Sequence, residues 1–443
     1  MEIKNEVVAV DISQEGEGIA KTEEGYTVFV PYLLPGERAF VKYTSQGRDF
    51  ARGEILEFLE TSPMRTDPPC PVYRECGGCQ LQHLSYEGQL LWKEKKVRDS
   101  LTRIAKLDNP KVNPIVGMKD PWHYRNRGQF VVGEEQGKLR YGFFSSKSKS
   151  IVSFAECPIH HRFVNKALQD LFPQLEGLRS YFEGDGTLRH VEVRCGENTG
   201  EVLATVVVSQ PIPKTLRLDH RKVANAVGIV ESINRSKTSK VLGDKERTIS
   251  GKGFIEEELM GLRFRISSQS FFQNNTSQAE KLYQLALDYA EAKGKKVIDL
   301  YSGIGSITLA LARDADEAVG VELVKAAVRD AQVNARLNGI DNVRFKALDA
   351  GDAFKQEKTP PEVLVVDPPR KGMDKKVIED VLQFGPERVV YVSCNPDTLA
   401  RDIGLLKGRY KFIEATPVDM FPQTTHVETV VLMSRISSIK AKE

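Results

Sequence analysis

Lys296-Val-Ile-Asp-Leu-Tyr-Ser-Gly303-Ile-Gly305-Ser-Ile-Thr-Leu-Ala310 reads as a short apolar strand, a glycine-rich turn and the first turns of a helix. Glycines at such a turn let a ligand approach the backbone at the helix N-terminus. A dinucleotide-binding turn requires a third glycine at position 308, where this chain has Thr308. NAD is therefore disfavoured. The next strand, Ala318-Val-Gly-Val-Glu322, ends on a carboxylate suited to ribose hydroxyls. Working outward, strands and helices alternate. Val343 to Leu348 leads to Asp349, and Glu362-Val-Leu-Val-Val-Asp367 runs into Pro368-Pro369-Arg370. Val389-Val-Tyr-Val-Ser-Cys394 stops at Asn395-Pro396. This order predicts a doubly wound α/β sheet with its ligands at the carboxyl ends of the strands. Asp349, Asp367 and Cys394 then share one edge with the glycine turn. The last apolar pair, Lys411 to Phe421 and His426 to Met433, reads as an antiparallel hairpin closing the sheet.

A chain of 443 residues, 40% hydrophobic and 28% charged, has room for two to four domains. Its net charge of +2 means that any basic surface is local. Its apolar runs are too short to span a bilayer, and Met1 to Glu6 holds no signal core. Both features point to the cytoplasm, where thiols stay reduced and the six cysteines are ligands, nucleophiles or core residues.

Residues 1–60 read as a small β-barrel of four or five strands, with turns at Gly16-Glu-Gly18 and Leu34-Pro-Gly36. Residues 61–265 read as a central α+β domain, and 266–443 as the doubly wound domain. In the central part, Cys70, Cys76 and Cys79 lie among turn formers that let three sulfurs converge, which points to a metal site. Zinc and a [4Fe–4S] cluster both suit four sulfurs. Cys157, on a loop before Pro158, is the expected fourth ligand, because Cys195 falls within a strand pattern. Ser85 to Ile104 is an amphipathic helix with Leu90, Val97, Leu101 and Ile104 on one face. Arg125 and Arg127 beside Tyr124 suit a phosphate or base contact, and equally a solvated strand face. Lys138, Lys147 and Lys149 add local positive charge.

The glycine turn followed by Glu322 resembles the Rossmann-like S-adenosyl-methionine-dependent methyltransferases. A cysteine beside a methyl donor has a specific use. Carbon 5 of a pyrimidine is a poor nucleophile until a thiolate adds at carbon 6, after which a base must remove the carbon 5 proton. Glu428, in the apolar strand Val427-Glu-Thr-Val-Val431, is the candidate base, since desolvation would raise its pKa toward neutrality.

With these pieces the chain resembles the RNA uracil-5-methyltransferases along almost its whole length. The motifs carrying the likeness are Ser270-Phe-Phe-Gln-Asn-Asn275, Asp299-Leu-Tyr-Ser-Gly-Ile-Gly305, Asp367-Pro-Pro-Arg-Lys-Gly372, Val392-Ser-Cys-Asn-Pro396 and His426-Val-Glu-Thr-Val430. Residues 1–60, through Gly16-Glu-Gly-Ile-Ala20, Val28-Phe-Val-Pro-Tyr32 and Leu34-Pro-Gly-Glu37, resemble the RNA-binding TRAM domain. The resemblance implies Cys394 as nucleophile and Glu428 as base. It implies Gln273, Tyr301, Gly303, Gly305, Glu322, Asp349 and Asp367 around S-adenosyl-L-methionine, with Asp367 also near the target base. It implies Phe271 stacked on the target uracil, and a [4Fe–4S] cluster on Cys70, Cys76, Cys79 and Cys157. It also implies that the helix near Ser85 (about 84–113) packs on the catalytic domain. The TRAM-like module favours 23S ribosomal RNA over transfer RNA as substrate. Ser302 departs from the Cys of many relatives, at little cost to the turn. A monomer with no membrane contact and no obligate protein partner is expected. A silent RNA-binding protein is disfavoured by the intact Cys394 and Glu428. A cytosine-5-methyltransferase is disfavoured by the lack of a Pro-Cys context, and a radical methylase by the spacing of Cys70, Cys76 and Cys79.

Overall fold

A computed structural model describes residues 4–146, 148, 150–182, 187–236, 238, 240–357 and 359–436. Strands β1 (Asn5–Ile12), β2 (Glu17–Lys21), β3 (Thr27–Pro31), β4 (Arg38–Gln46) and β5 (Phe50–Glu60) close into a barrel in the order β1-β2-β3-β5-β4. Their alternation buries Val7, Ala9, Ala20, Val28, Val30, Ala39, Val41 and Ala51. Gly18 belongs to β2 rather than to a turn. A Cβ there would lie 2.3 Å from the Leu33 carbonyl oxygen, so the glycine serves a close backbone approach inside the barrel.

Helix α1 (Tyr86–Arg103) starts where the Ser85 hydroxyl accepts from Gly88 N at 3.2 Å. Val97 and Leu101 are buried, whereas Ile104, expected on the same face, is exposed because the helix stops one residue earlier. The buried face is partly polar. Lys93 Nζ donates to Asp419 Oδ1 at 2.6 Å and to the Phe421 carbonyl at 3.0 Å. Neither Lys93 nor Asp419 retains any side-chain exposure.

The central region holds β6 (Arg127–Glu135), β7 (Lys138–Phe144), β8 (Ile151–Ser153), α2 (Arg162–Glu176), β9 (Leu188–Cys195), β10 (Val202–Val208), β11 (Ala226–Ile233) and β12 (Lys245–Gly251). The strands form one sheet, β12-β11-β10-β9-β6-β7-β8, and α2 packs on one face through Val164, Leu168 and Leu171. Between β10 and β11 lies a single 3-10 turn, His220–Lys222. Lys147 and Lys149 lie outside the described residues. A separate hairpin follows, β13 (Phe254–Leu259) and β14 (Leu262–Ser267). Its Ile255, Phe264 and Ile266 belong to the core beneath the next sheet.

That sheet comprises α3 (Thr276–Ala290), β15 (Lys296–Leu300), α4 (Ser306–Ala312), β16 (Glu317–Glu322), α5 (Lys325–Leu337), β17 (Val343–Ala347), β18 (Val363–Val366), α6 (Lys375–Phe384), β19 (Arg388–Ser393), α7 (Pro396–Leu406), β20 (Tyr410–Val418) and β21 (Glu428–Arg435). The strand order is β17-β16-β15-β18-β19-β21-β20, parallel through β19, with β21 antiparallel to both neighbours. Val97 and Leu101 of α1 pack into the same core as Leu399 and Ile403 of α7. Among the described residues no helix is long and apolar enough to cross a membrane.

Removing one member of a buried ion pair leaves the other uncompensated. Lys93→Met is expected to destabilise the folded protein by about 3–5 kcal/mol, and Lys93→Met with Asp419→Leu to recover most of the loss. Thermal unfolding of the two variants measures this. Equal midpoints for Lys93→Met and the unmodified protein would show that the pair has no such weight.

Candidate active site

Antiparallel pairing sets Ser393 of β19 opposite Thr429 of β21. One residue beyond Ser393 and one before Thr429, Cys394 and Glu428 come together at the carboxyl edge of the sheet. Glu428 is 5% exposed, and burial pushes its carboxyl up to about 8, with Asp367 adding to the shift and Arg370 opposing it. Burial and then the charges of Glu428 and Asp367 push the Cys394 thiol up to about 12, again against Arg370. Asp367, ending β18, is raised to about 7 by burial. Three acids thus share one poorly solvated corner and resist carrying negative charge together.

A cavity of about 430 Å³ opens above Cys394. Its walls include Gln14 of the barrel loop, Lys96 of α1, Arg370 after β18, Asn395 before α7, and His426 before β21. Lys96 Nζ donates to the Thr425 carbonyl at 3.0 Å and stands 5.1 Å from the Trp92 ring. Burial lowers Lys96 to about 8. Arg370 donates to His426 Nδ1 at 2.8 Å, and burial with the Arg370 charge lowers His426 to about 4, so its ring is neutral and accepts.

The glycine turn lies on the other side of Asp367. Tyr301, Gly303 and Gly305 all have left-handed backbone, with φ of 68°, 55° and 86°. For Tyr301 this is a strained state, stored where the chain reverses over the strand end. A Cβ on Gly305 would meet the Phe345 ring at 2.6 Å, whereas a Cβ on Gly303 would point into open space. Glu322 accepts from Gly303 N at 3.1 Å and from Val324 N at 2.8 Å. Thr308 donates to Asp299 Oδ2 at 2.6 Å, filling the place of the third glycine with a cap for the strand-end acid. Asp299 Oδ1 and Ser302 Oγ are buried without a partner. Burial raises Asp299 to about 7.

Phe271, Tyr283, Asp299, Gly303 and Asp367 line a small space of about 30 Å³ beside this turn. Phe271 is 58% exposed and Gln273 is buried. Asp349 is exposed and accepts from Gly351 N at 2.9 Å, so it caps the turn after β17. The open Gly303 backbone, the orphaned Asp299 oxygen and the Glu322 carboxylate fit S-adenosyl-L-methionine, whose ammonium and ribose hydroxyls are donors.

Cys70, Cys76, Cys79 and Cys157 line one cavity of about 260 Å³, together with Arg125 and His160. Burial raises all four thiols, Cys79 to about 12 and Cys157 to about 11. Among the described residues no group of three or more His, Cys, Asp or Glu stands ready to hold a single metal ion. Cys195 is buried in β9, away from this cavity. Arg125 therefore borders the cysteines rather than the Cys394 cavity. Arg127 pairs with Glu192 at 2.7 Å, a buried acid whose charge it neutralises.

Fold and site define an S-adenosyl-methionine-dependent methyltransferase carrying an RNA-binding module. Residues 85–436 match the model of the tRNA (uracil-5-)-methyltransferase family, and residues 6–56 match the TRAM domain. An uncharacterized RNA methyltransferase of Halalkalibacterium halodurans is 43% identical, over 97% of both chains. One from Caldanaerobacter subterraneus subsp. tengcongensis is 42% identical over 98% of both. The Pyrococcus abyssi tRNA (uracil-54, C5)-methyltransferase, solved with S-adenosyl-L-homocysteine, superposes with a TM-score of 0.78 at 28% identity, over 97% of this chain and 100% of that one. The chain belongs to the tRNA (uracil-5-)-methyltransferase family and is an RNA methyltransferase.

Sequence reasoning left out Gln14, Lys96, Asp299 and His426. Asp299 carried a signal, as an acid inside a buried apolar strand just before the glycine turn. Lys96 and Gln14 carried none, since only the fold brings α1 and the barrel over β19.

Between pH 4.5 and about 8 the folded Glu428 keeps a proton that the unfolded chain has released. Its contribution to stability is full below pH 4.5 and is lost as pH rises through 8. Glu428→Gln is therefore expected to gain stability relative to the unmodified protein from pH 5 to pH 8, on the order of 2–4 kcal/mol. Denaturant unfolding at both pH values reads this. A constant difference would mean that Glu428 titrates normally.

Proposed function

We propose that the protein methylates carbon 5 of a uridine in structured RNA through a covalent adduct on Cys394. The carrying observation is the thiol of Cys394 beside the buried carboxyl of Glu428 at the end of β19. Cys394 gives up its proton to solvent in the open cavity above it, and the resulting thiolate adds to carbon 6 of the uracil. The electron pair moves to carbon 5, which takes the methyl group. The cofactor supplies that methyl on a sulfonium, for which S-adenosyl-L-homocysteine is the leaving group. Glu428, once it has released its own proton to solvent, removes the proton from carbon 5 as the carboxylate, and the electrons expel the Cys394 sulfur from carbon 6 as thiolate, which takes up a proton from solvent. Product and free thiol result. Arg370 offsets the negative charge that the acids and the ring share. Phe271, exposed at the mouth, stacks on the extruded base, and Asp367 with Gln273 lies between base and cofactor. Tyr301, Gly303, Gly305 and Glu322 hold the cofactor, with Asp349 at its adenine end.

The RNA is ribosomal in this reading, 23S RNA first. Transfer RNA is the second reading, and one observation favours it. The likeness to the Pyrococcus abyssi tRNA enzyme covers 97% of this chain, which leaves no room to exclude the barrel. A TRAM-like module therefore does not by itself separate the two substrates.

Cys70, Cys76, Cys79 and Cys157 are proposed to hold a [4Fe–4S] cluster. Support comes from four sulfurs around a cavity rather than around a point. Methyl transfer needs no electrons, so the cluster's role is to fix this loop and its RNA-facing surface. Anaerobically prepared protein is expected to contain iron and sulfide in equal amounts and to lose both in Cys79→Ser. Zinc without sulfide would replace the cluster by a mononuclear site.

RNA containing 5-fluorouridine tests the chemistry. Fluorine at carbon 5 cannot leave as a proton, so a methylated protein–RNA adduct should accumulate. Cys394→Ala should abolish it, and Glu428→Gln should trap the adduct on ordinary uridine. Labelled methyl donor offered with ribosomal and transfer RNA in parallel tells the substrates apart. Methylated product from Cys394→Ala would falsify the covalent route.

A further inference from the structure

Strand β14 pairs with β13 on one side only, and its other edge faces α5. Side chains close that edge. Asn338 Oδ1 accepts from Arg263 N at 2.8 Å, and its Nδ2 donates to Arg263 O at 2.7 Å. Asn334 Oδ1 accepts from Arg265 N at 2.8 Å, and its Nδ2 reaches Arg265 O at 3.5 Å. Each carboxamide does for one residue what a neighbouring strand would do. The third rung is Asp330, whose Oδ2 accepts from Ser267 Oγ at 2.9 Å. The spacings agree: four helical residues rise about 6 Å and two strand residues about 6.6 Å. Asp330, Asn334 and Asn338 therefore meet Ser267, Arg265 and Arg263 in step.

Two rungs reach past β14. Asn334, fully buried, also donates to the Ile304 carbonyl at 3.2 Å, between Gly303 and Gly305. Asp330 Oδ2 also takes a short hydrogen bond from Ser270 Oγ, and Ser267 and Ser270 hydroxyls are 2.7 Å apart. Ser270 immediately precedes Phe271 and lies close before Gln273. One helix thus grips the cofactor turn with one side chain and the loop presenting Phe271 with another.

We propose that Asp330 is a positioning residue for methyl transfer. By pinning Ser270 it sets where Phe271 and Gln273 stand relative to the Gly303–Gly305 turn, which Asn334 fixes to the same helix. Asn338, the far rung, only closes the strand edge. The inference rests on the reading that Phe271 and Gln273 meet the target base and the cofactor.

Asp330→Ala, Asp330→Asn, Asn334→Ala and Asn338→Ala test it. Hydrogen exchange without RNA should quicken at residues 268–274 in Asp330→Ala but not in Asn338→Ala. Formation of the 5-fluorouridine adduct should slow about 10- to 100-fold in Asp330→Ala, the scale expected of a misplaced reacting group. Asp330→Asn keeps an acceptor oxygen and should recover much of the rate. Asn338→Ala should lower the melting temperature while forming adduct at the unmodified rate. S-adenosyl-L-homocysteine affinity should fall in Asn334→Ala, which loosens the Ile304 carbonyl in the cofactor turn. Unmodified adduct formation in Asp330→Ala, or equal slowing in Asn338→Ala, overturns the proposal. Absence of adduct in the unmodified protein overturns the underlying reading instead, and exchange measured without RNA tells the two failures apart.

Discussion

The reversal of one strand governs the site. Five parallel strands deliver acids and a thiol to one edge of the sheet, but parallel neighbours present only carboxyl ends there. Strand β21 enters antiparallel between β19 and β20, so its first residue reaches the edge where the others finish. Glu428 is that residue. A register slip of one would turn it to the opposite face and leave Cys394 without its acid. The pairing of Ser393 with Thr429 therefore carries chemical as well as structural weight.

The remaining walls come from far away in sequence, and each is tied down by a buried polar contact. Lys93 and Asp419 join α1 to the end of β20, while Ser100 Oγ donates to Asp397 Oδ1 at 2.7 Å at the start of α7. Gln89 Nε2 donates to Gln423 Oε1 at 3.0 Å, and the Gln80 and Leu81 amides both donate to the Gln423 carbonyl. Through these links the segment before α1 is held against the loop that leads to Glu428. The pKa values of Cys394, Glu428 and Lys96 depend on this enclosure, since burial is the largest cause of each shift.

Much of the architecture was legible in the chain. Strand–helix alternation, the glycine turn and the barrel's alternating apolar residues are local patterns, and local patterns survive in sequence. Other features were hidden for physical reasons. Gly18 looked like a turn because composition cannot distinguish a glycine that bends from one that admits a neighbour's carbonyl. The hairpin of β13 and β14 left no clear strand signal, because Glu256, Glu257 and Glu258 mask its alternation. Arg127 read as a free cation because its acid, Glu192, is distant in sequence. At the strand ends, the acids and Cys394 could be placed on one edge from spacing alone. The closeness of Lys96, His426 and Gln14 to that edge depends on packing between elements and leaves no trace in any single stretch.

The insertion of α1 beneath a sheet built from the other end of the chain has a bearing on biosynthesis. Lys93 leaves the ribosome 326 residues before Asp419. At about 5–20 residues per second that is an interval of tens of seconds. Throughout it the helix carries an unmatched ammonium and an uncovered apolar stripe. Docking of α1 is therefore concluded by the last strands made, and a ribosome stalled before them leaves this helix without the sheet it packs on.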